Sequence, residues 1–305
     1  MTIGDVKPVP GATDVYYVDT GMYEVPSYGS VYVLDAERPA VVDTGIGTHY
    51  DRVLDALDEV GIDREDLAYV LPTHVHLDHA GGAGFLAEAC PNATVMTHER
   101  GVDHLVDPSR LIEGTKAAVG DQWELYTEPE PVPEARIEGL ADGDEIDLGD
   151  RVFEVVHAPG HAPHQVVFYD FRDEIVFVAD AAGIWSPDLN EVLPTTPPPQ
   201  FDLEQCLDDT RTIEARDPDV LCFGHFGPRE NDEEFLPTYR RTLIEWVEAI
   251  RQKREELGDD EAVVEHFVEH ADPDRFEVWS ERKVRAEERM NVRGVLRYLD
   301  SENAA

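Results

Sequence analysis

The apolar positions fall into short runs near the start of the chain and into helical spacing near its end. Val15–Asp19, Ser30–Leu34 and Ala40–Val42 are brief and rich in Val and Tyr, which predicts strands. Between Tyr50 and Val60, apolar residues recur at Val53, Leu54, Leu57 and Val60, the spacing of one helix face. Leu67–Leu71 is a continuous apolar run and predicts a buried strand. A short helix is expected over Phe85–Ala89. Residues 101–135 carry a weaker pattern, and Glu128–Pro133 (EPEPVP) predicts an extended connection because proline cannot continue a helix. Strands return at Val152–Val156, Gln165–Phe171 and Glu174–Val178, with a turn over Asp170–Glu174. After the proline-rich stretch Leu193–Gln200 come a helix, Leu203–Ala215, and a last strand, Val220–Phe223. From Glu233 to Leu299 the reading is helical: Phe235, Tyr239, Leu243, Val247 and Ile250 share one face, and Val263–Val268 and Val284–Tyr298 predict further helices. Two strand-rich halves, 1–100 and 140–230, suit a two-sheet sandwich.

Composition adds limits. Of 305 residues, 42% are hydrophobic, enough for a sizeable core. No apolar run reaches the roughly 18 residues of a membrane span. The start, MTIGDVKPVPGATD, lacks the basic and apolar segments of a secretory signal, so a cytoplasmic protein is expected. Cys90, Cys206 and Cys222 form no CxxC pair, which argues against a thiolate zinc site and a disulfide framework. Acidic residues number 66 against 25 basic ones, for a net charge of -41, and lysine occurs only at positions 7, 116, 253 and 283. Such a field repels nucleic acid phosphates and anionic membranes, so neither is expected as a partner. The acid is spread along the whole chain, which predicts a protein adapted to concentrated salt, where self-repulsion is screened.

The chemistry concentrates in Thr73–Gly82, THVHLDHAGG, where His74, His76, Asp78 and His79 lie within six residues. Past a strand end, alternate residues share a side, so His74 and His76 can converge on one ion. Asp78 and His79 fall where the chain turns towards a helix and can face a second. Imidazole with carboxylate suits zinc, and also iron or manganese. The following glycines allow close backbone approach beneath the cluster.

THVHLDH resembles the HxHxDH signature of the metallo-β-lactamase superfamily. Four further segments are similar to that family's in the same order: VVDTGIG at Val41–Gly47, APGHAPHQ at Ala158–Gln165, FVADAAG at Phe177–Gly183 and FGHFG at Phe223–Gly227. The resemblance implies an α/β fold, the αββα sandwich, over residues 1–230, with a C-terminal helical extension over 231–305. It implies two zinc ions per chain, with iron or manganese as alternatives. His74, His76 and His161 would hold the first, Asp78, His79 and His225 the second, and Asp180 would bridge them. Two cations about 3.5–4 Å apart share a water and lower its pKa towards 7, and the hydroxide attacks a carbonyl or phosphoryl centre. Asp78 is the expected catalytic residue, ligating and orienting the nucleophile, and Asp43 is expected to support a ligand.

Within the superfamily the glyoxalase II-like thioesterases are the nearest resemblance, which implies a hydrolase acting on a small thioester, ester or lactone. A lactonase uses the same cage. Sulfur dioxygenases share the fold and use one iron, and they remain the alternative from another reaction class. Flavodiiron proteins place a glutamate where His76 stands, which argues against them. His164 stands three residues after His161, where many glyoxalase II-like members carry a histidine four residues on; a supporting, substrate-contacting or structural role is open. His157 is expected to support its loop, and His49, His98, His104, His266 and His270 are expected to bind no metal. Trp185 and Pro194–Pro199 are expected on one wall of the pocket, with Tyr126 or Trp123 on the other. The partner expected is a small-molecule substrate. Whether the tail caps the site or pairs chains in a homo-oligomer is open.

Overall fold

Seven strands from the first half of the chain form one sheet in sequence order: β1 (Val6–Pro8), β2 (Val15–Asp19), β3 (Ser30–Leu34), β4 (Ala40–Val42), β5 (Tyr69–Leu71), β6 (Thr94–His98) and β7 (Ile137–Leu140). The chain is described here by a computed structural model over residues 1–302. β1 to β4 run antiparallel, and β4 to β7 pair in parallel. The connections carry α1 (Tyr50–Val60), α2 (Leu77–Ala80), α3 (Ala83–Ala89), α4 (Val102–Val106) and α5 (Ser109–Val119). The second sheet contains β8 (Glu145–Asp147), β9 (Val152–His157), β10 (Val166–Asp170) and β11 (Ile175–Phe177). A separate hairpin, β12 (Ile184–Ser186) and β13 (Glu191–Leu193), precedes α6 (Leu203–Glu214). β14 (Val220–Phe223) and β15 (Gly227–Glu230) complete the second sheet, in the order β15-β14-β11-β10-β9-β8. Four helices follow: α7 (Phe235–Leu257), α8 (Asp260–Glu269), α9 (Asp274–Trp279) and α10 (Glu281–Glu302).

The period of two along the strands explains the layers. Tyr32 and Leu34 of β3 join Val42, Leu71, Phe153, Phe168 and Phe177 in a core between the sheets. Their neighbours Val31 and Val33 turn the other way and pack on Val53 and Leu57 of α1 and Leu86 of α3. On the far face, Val167, Val176 and Leu221 pack against Ile213 of α6 and Leu236 of α7. The order is therefore helix, sheet, sheet, helix, with a further cluster joining α6, α7, α8 and α10 through Leu207, Leu243, Val264 and Val295. The three cysteines are buried and free.

Helix ends follow local chemistry. α1 stops at Gly61, whose φ of 97 lets its N–H reach the Leu57 carbonyl. Asp202 caps α6 by accepting from the Gln205 N–H at 3.0 Å. Two expectations need correction. The predicted strand Leu67–Leu71 begins only at Tyr69, and the helix at Phe85 begins at Ala83. β6, β7, α5 and the β12–β13 hairpin have no counterpart in the sequence pattern, because three- to five-residue strands and a helix with no buried residue show little period.

Candidate metal centre

The ends of parallel-paired strands deliver the site. Asp43 follows β4, His74 and His76 follow β5, Asp180 follows β11 and His225 follows β14. Asp78 and His79 lie in α2, and His161 lies in the β9–β10 connection. All seven sequence-expected positions come together. Their ligand atoms form three groups, each within 4.8 Å: His74, His76 and His161; His74, His79 and Asp180; and Asp78, His79 and His225.

Three of the rings, His161, His225 and His79, are aimed by a partner behind them. His161 Nδ1 lies 3.4 Å from the Thr195 carbonyl, and His225 Nδ1 lies 3.1 Å from the Tyr28 carbonyl. Carbonyls only accept, so both Nδ1 atoms carry the proton and both Nε2 atoms present lone pairs. His79 Nδ1 donates to Asp43 Oδ2 at 2.8 Å. Asp43 Oδ1 is fixed in turn by the Thr73 N–H and hydroxyl, each at 2.8 Å. This is the support expected of Asp43. Below the cluster, a Cβ on Gly82 would lie 2.6 Å from the Thr44 carbonyl, so only glycine admits this approach.

The donor set fits a metal. Nδ1 of His76 lies 3.1 Å from Nε2 of both His74 and His161, near the roughly 3.3 Å between ligands of a tetrahedral ion with 2.0–2.1 Å bonds. Nε2 of His79 and Nε2 of His225 face each other at 3.2 Å. With their protons on Nδ1, two lone pairs meet there, an arrangement a cation relieves. Asp180 directs Oδ2 at His161 Nε2, 3.2 Å away, and Oδ1 at His79 Nε2, 3.3 Å away. Oδ1 is buried and receives no hydrogen bond. The centre also calls for positive charge: burial opposes protonation of His79, yet Asp180 and Asp43 raise its pKa well above the ordinary value. Burial and the adjacent His161 imidazole push His76 down to about 4. For Asp78, burial is outweighed by His225, His79 and His76, which hold its carboxyl below the usual range.

A cavity of about 270 Å³ opens onto the centre. Pro197, Pro198 and Pro199 form one wall and Tyr126 another, whereas Pro194, the first residue of the expected stretch, lines a different cavity. Trp123 stands behind Tyr126, stacked at 5.4 Å. Trp185 does not reach this cavity, because β12 turns its ring onto Phe235 of α7, 5.8 Å away. His164 lines the cavity, stacks 6.1 Å from His74 and accepts from the Val75 N–H at 3.4 Å, and burial lowers its pKa to about 2. His157 supports its loop through the Pro163 carbonyl at 3.0 Å. The sequence reading missed Tyr23, Tyr28, Lys283 and Met290, which also line the cavity. Only the scarcity of lysine marked Lys283. The tail therefore covers one side of the site.

The sequence model of the metallo-beta-lactamase superfamily matches residues 25–225. The chain belongs to this superfamily. Among similar members, the metallo-beta-lactamase fold-containing protein ST1585 of Sulfurisphaera tokodaii is 27% identical over 221 residues, 70% of this chain and 78% of that protein. A crystal structure of ST1585 aligns with a TM-score of 0.66 at 20% identity over 93% of this chain and 99% of that one, which shows the shared fold. An N-acyl homoserine lactonase from Bacillus sp is 23% identical over 68% of this chain and 85% of its own length. Human acyl-coenzyme A thioesterase MBLAC2 is 27% identical over 54% of this chain and 62% of its own. The metallo-beta-lactamase fold implies divalent metal binding, and the His and Asp groups above are the side chains that suit it. No helix among the described residues is long and apolar enough to cross a membrane.

Proposed function

We propose that the protein is a two-metal hydrolase of small thioesters or lactones. The observation that carries this reading is the division of Asp180, with one oxygen beside His161 and the other beside His79. His74, His76 and His161 would hold one ion, and Asp78, His79 and His225 the other, with zinc the metal best matched to these donors. When bound, the ions polarise a carbonyl and activate a water.

The chain's own residues do the rest. Asp43, Thr195 and the Tyr28 carbonyl keep the imidazole lone pairs on target. Asp78, ionised at neutral pH and 25% exposed at its side chain, faces the cavity, where it can accept a hydrogen bond and orient the nucleophile. Leu111, Val119 and Met290 supply an apolar wall for an acyl group. The Tyr23 and Tyr126 hydroxyls, 2.5 Å apart, share one hydrogen bond at the same cavity, which leaves one O–H free to donate to a substrate oxygen. Similarity to a lactonase and an acyl-coenzyme A thioesterase supports an acyl-transfer substrate, as does the glyoxalase II-like motif. The cytoplasm of a salt-accumulating cell is the setting that best suits a charge of -41.

Elemental analysis per chain, followed by assays on acyl thioesters and lactones, tests the reading. Two zinc ions and turnover of either substrate class are expected. One iron per chain with persulfide-dependent oxygen consumption would replace it with a sulfur dioxygenase.

A further inference from the structure

A second cavity, of about 790 Å³, lies beside the β12–β13 hairpin and is walled by α7, α9 and α10. None of the metal-centre histidines or aspartates lines it. Three of the chain's four tryptophans do: Trp185, Trp246 and Trp279. Aromatic faces attract cations, and alkylated ammonium groups are a recurrent occupant of such walls.

The charged groups of the same wall are incompletely matched. The Arg275 guanidinium stands 3.9 Å from Glu191 and 4.0 Å from Glu288, both beyond hydrogen-bond distance. Glu288 is largely buried, and burial pushes its carboxyl up to about 7 although Arg275 opposes this. A further positive group would suit it. The opposite demand lies alongside. Nε of Arg275 and Nε1 of Trp279 are buried donors that meet no protein acceptor, and such donors carry a desolvation cost until an acceptor reaches them. A simple cation leaves these donors unanswered. A simple anion meets Glu191, Glu288 and the field of a chain with net charge -41. One molecule carrying both charges answers both demands and is neutral in that field.

We propose that this cavity binds a small zwitterion, its alkylated ammonium against the tryptophan faces and Glu288, and its carboxylate on Arg275 and Trp279.

The tryptophans provide the readout. The full chain is titrated with glycine betaine, tetramethylammonium and acetate separately at constant ionic strength, following intrinsic fluorescence and calorimetric heat. Betaine is expected to saturate, and the two single-charge probes to bind at least about tenfold more weakly. Arg275→Gln and Trp279→Phe should each weaken betaine by about tenfold without changing the melting temperature by more than a few degrees. Trp279→Phe keeps an aromatic ring and removes the N–H, and Trp185 and Trp246 still report. Tetramethylammonium binding as tightly as betaine, or betaine affinity unchanged in Arg275→Gln, would overturn the zwitterion assignment. No saturable signal from betaine in either measurement would overturn the site.

Discussion

Nδ1 of His79 lies 2.8 Å from Oδ2 of Asp43, with both side chains buried. That contact turns Nε2 of His79 towards Asp180 and His225. Asp43→Ala should therefore weaken metal binding by about 10–100-fold without removing a ligand. Competition with a chromogenic chelator measures it. Unchanged affinity would show that the contact orients nothing that matters.

His76 contributes Nδ1 to the group containing His74 and His161, and Asp78 faces the cavity. His76→Ala should lower turnover by more than about a hundredfold, beyond the range of supporting groups. If His76→Ala and Asp78→Ala together left activity intact, the metal mechanism would be wrong.

Gly294 seats α10 on Thr196 and Pro197, in the loop between β13 and α6. A Cβ there would lie 1.8 Å from the Thr196 carbonyl, a backbone atom that cannot turn aside. Asn291, one turn earlier, accepts from the Thr196 N–H at 2.7 Å. Gly294→Ala should cost about 1–3 kcal/mol by overpacking. Urea unfolding gives the value, and a midpoint equal to that of the parent would show that the helix shifts freely.

Glu288 sets a pH dependence. Its folded pKa of about 7 lies above the ordinary value of 4.5, so the folded chain holds its proton more tightly. The stability this contributes is complete below about pH 4.5 and is lost as pH rises through 7. Glu288→Gln should remove the loss and gain up to roughly 3 kcal/mol at pH 8 relative to pH 4.5. Unfolding at a series of pH values checks this, and parallel profiles for the two proteins would contradict it.

The charge of -41 makes salt part of the stability. Raising KCl shortens the screening length from about 10 Å at 0.1 M to 3 Å at 1 M. The melting temperature should climb over that interval, by several degrees at least. A flat profile would remove the salt-adaptation reading.

The sequence by itself showed most strands of the two sheets, the main helices and the cluster of candidate ligand positions. β3 and α1 were legible because burial against a single sheet face leaves a period of two or 3.6 in the chain. The centre was legible because four of its residues are nearly contiguous, in THVHLDH, and the rest sit in short segments whose order resembles one superfamily. The tertiary structure alone decided what surrounds them. Tyr28 donates to Glu287 at 2.6 Å across 259 positions, and no local period records such a meeting. Trp185 reads like a pocket residue from its nearness to Asp180, yet a three-residue strand turns it into another cavity. Local sequence specifies which face of an element is buried. Which distant element covers that face is settled only when the sheets close and the terminal helices pack on them.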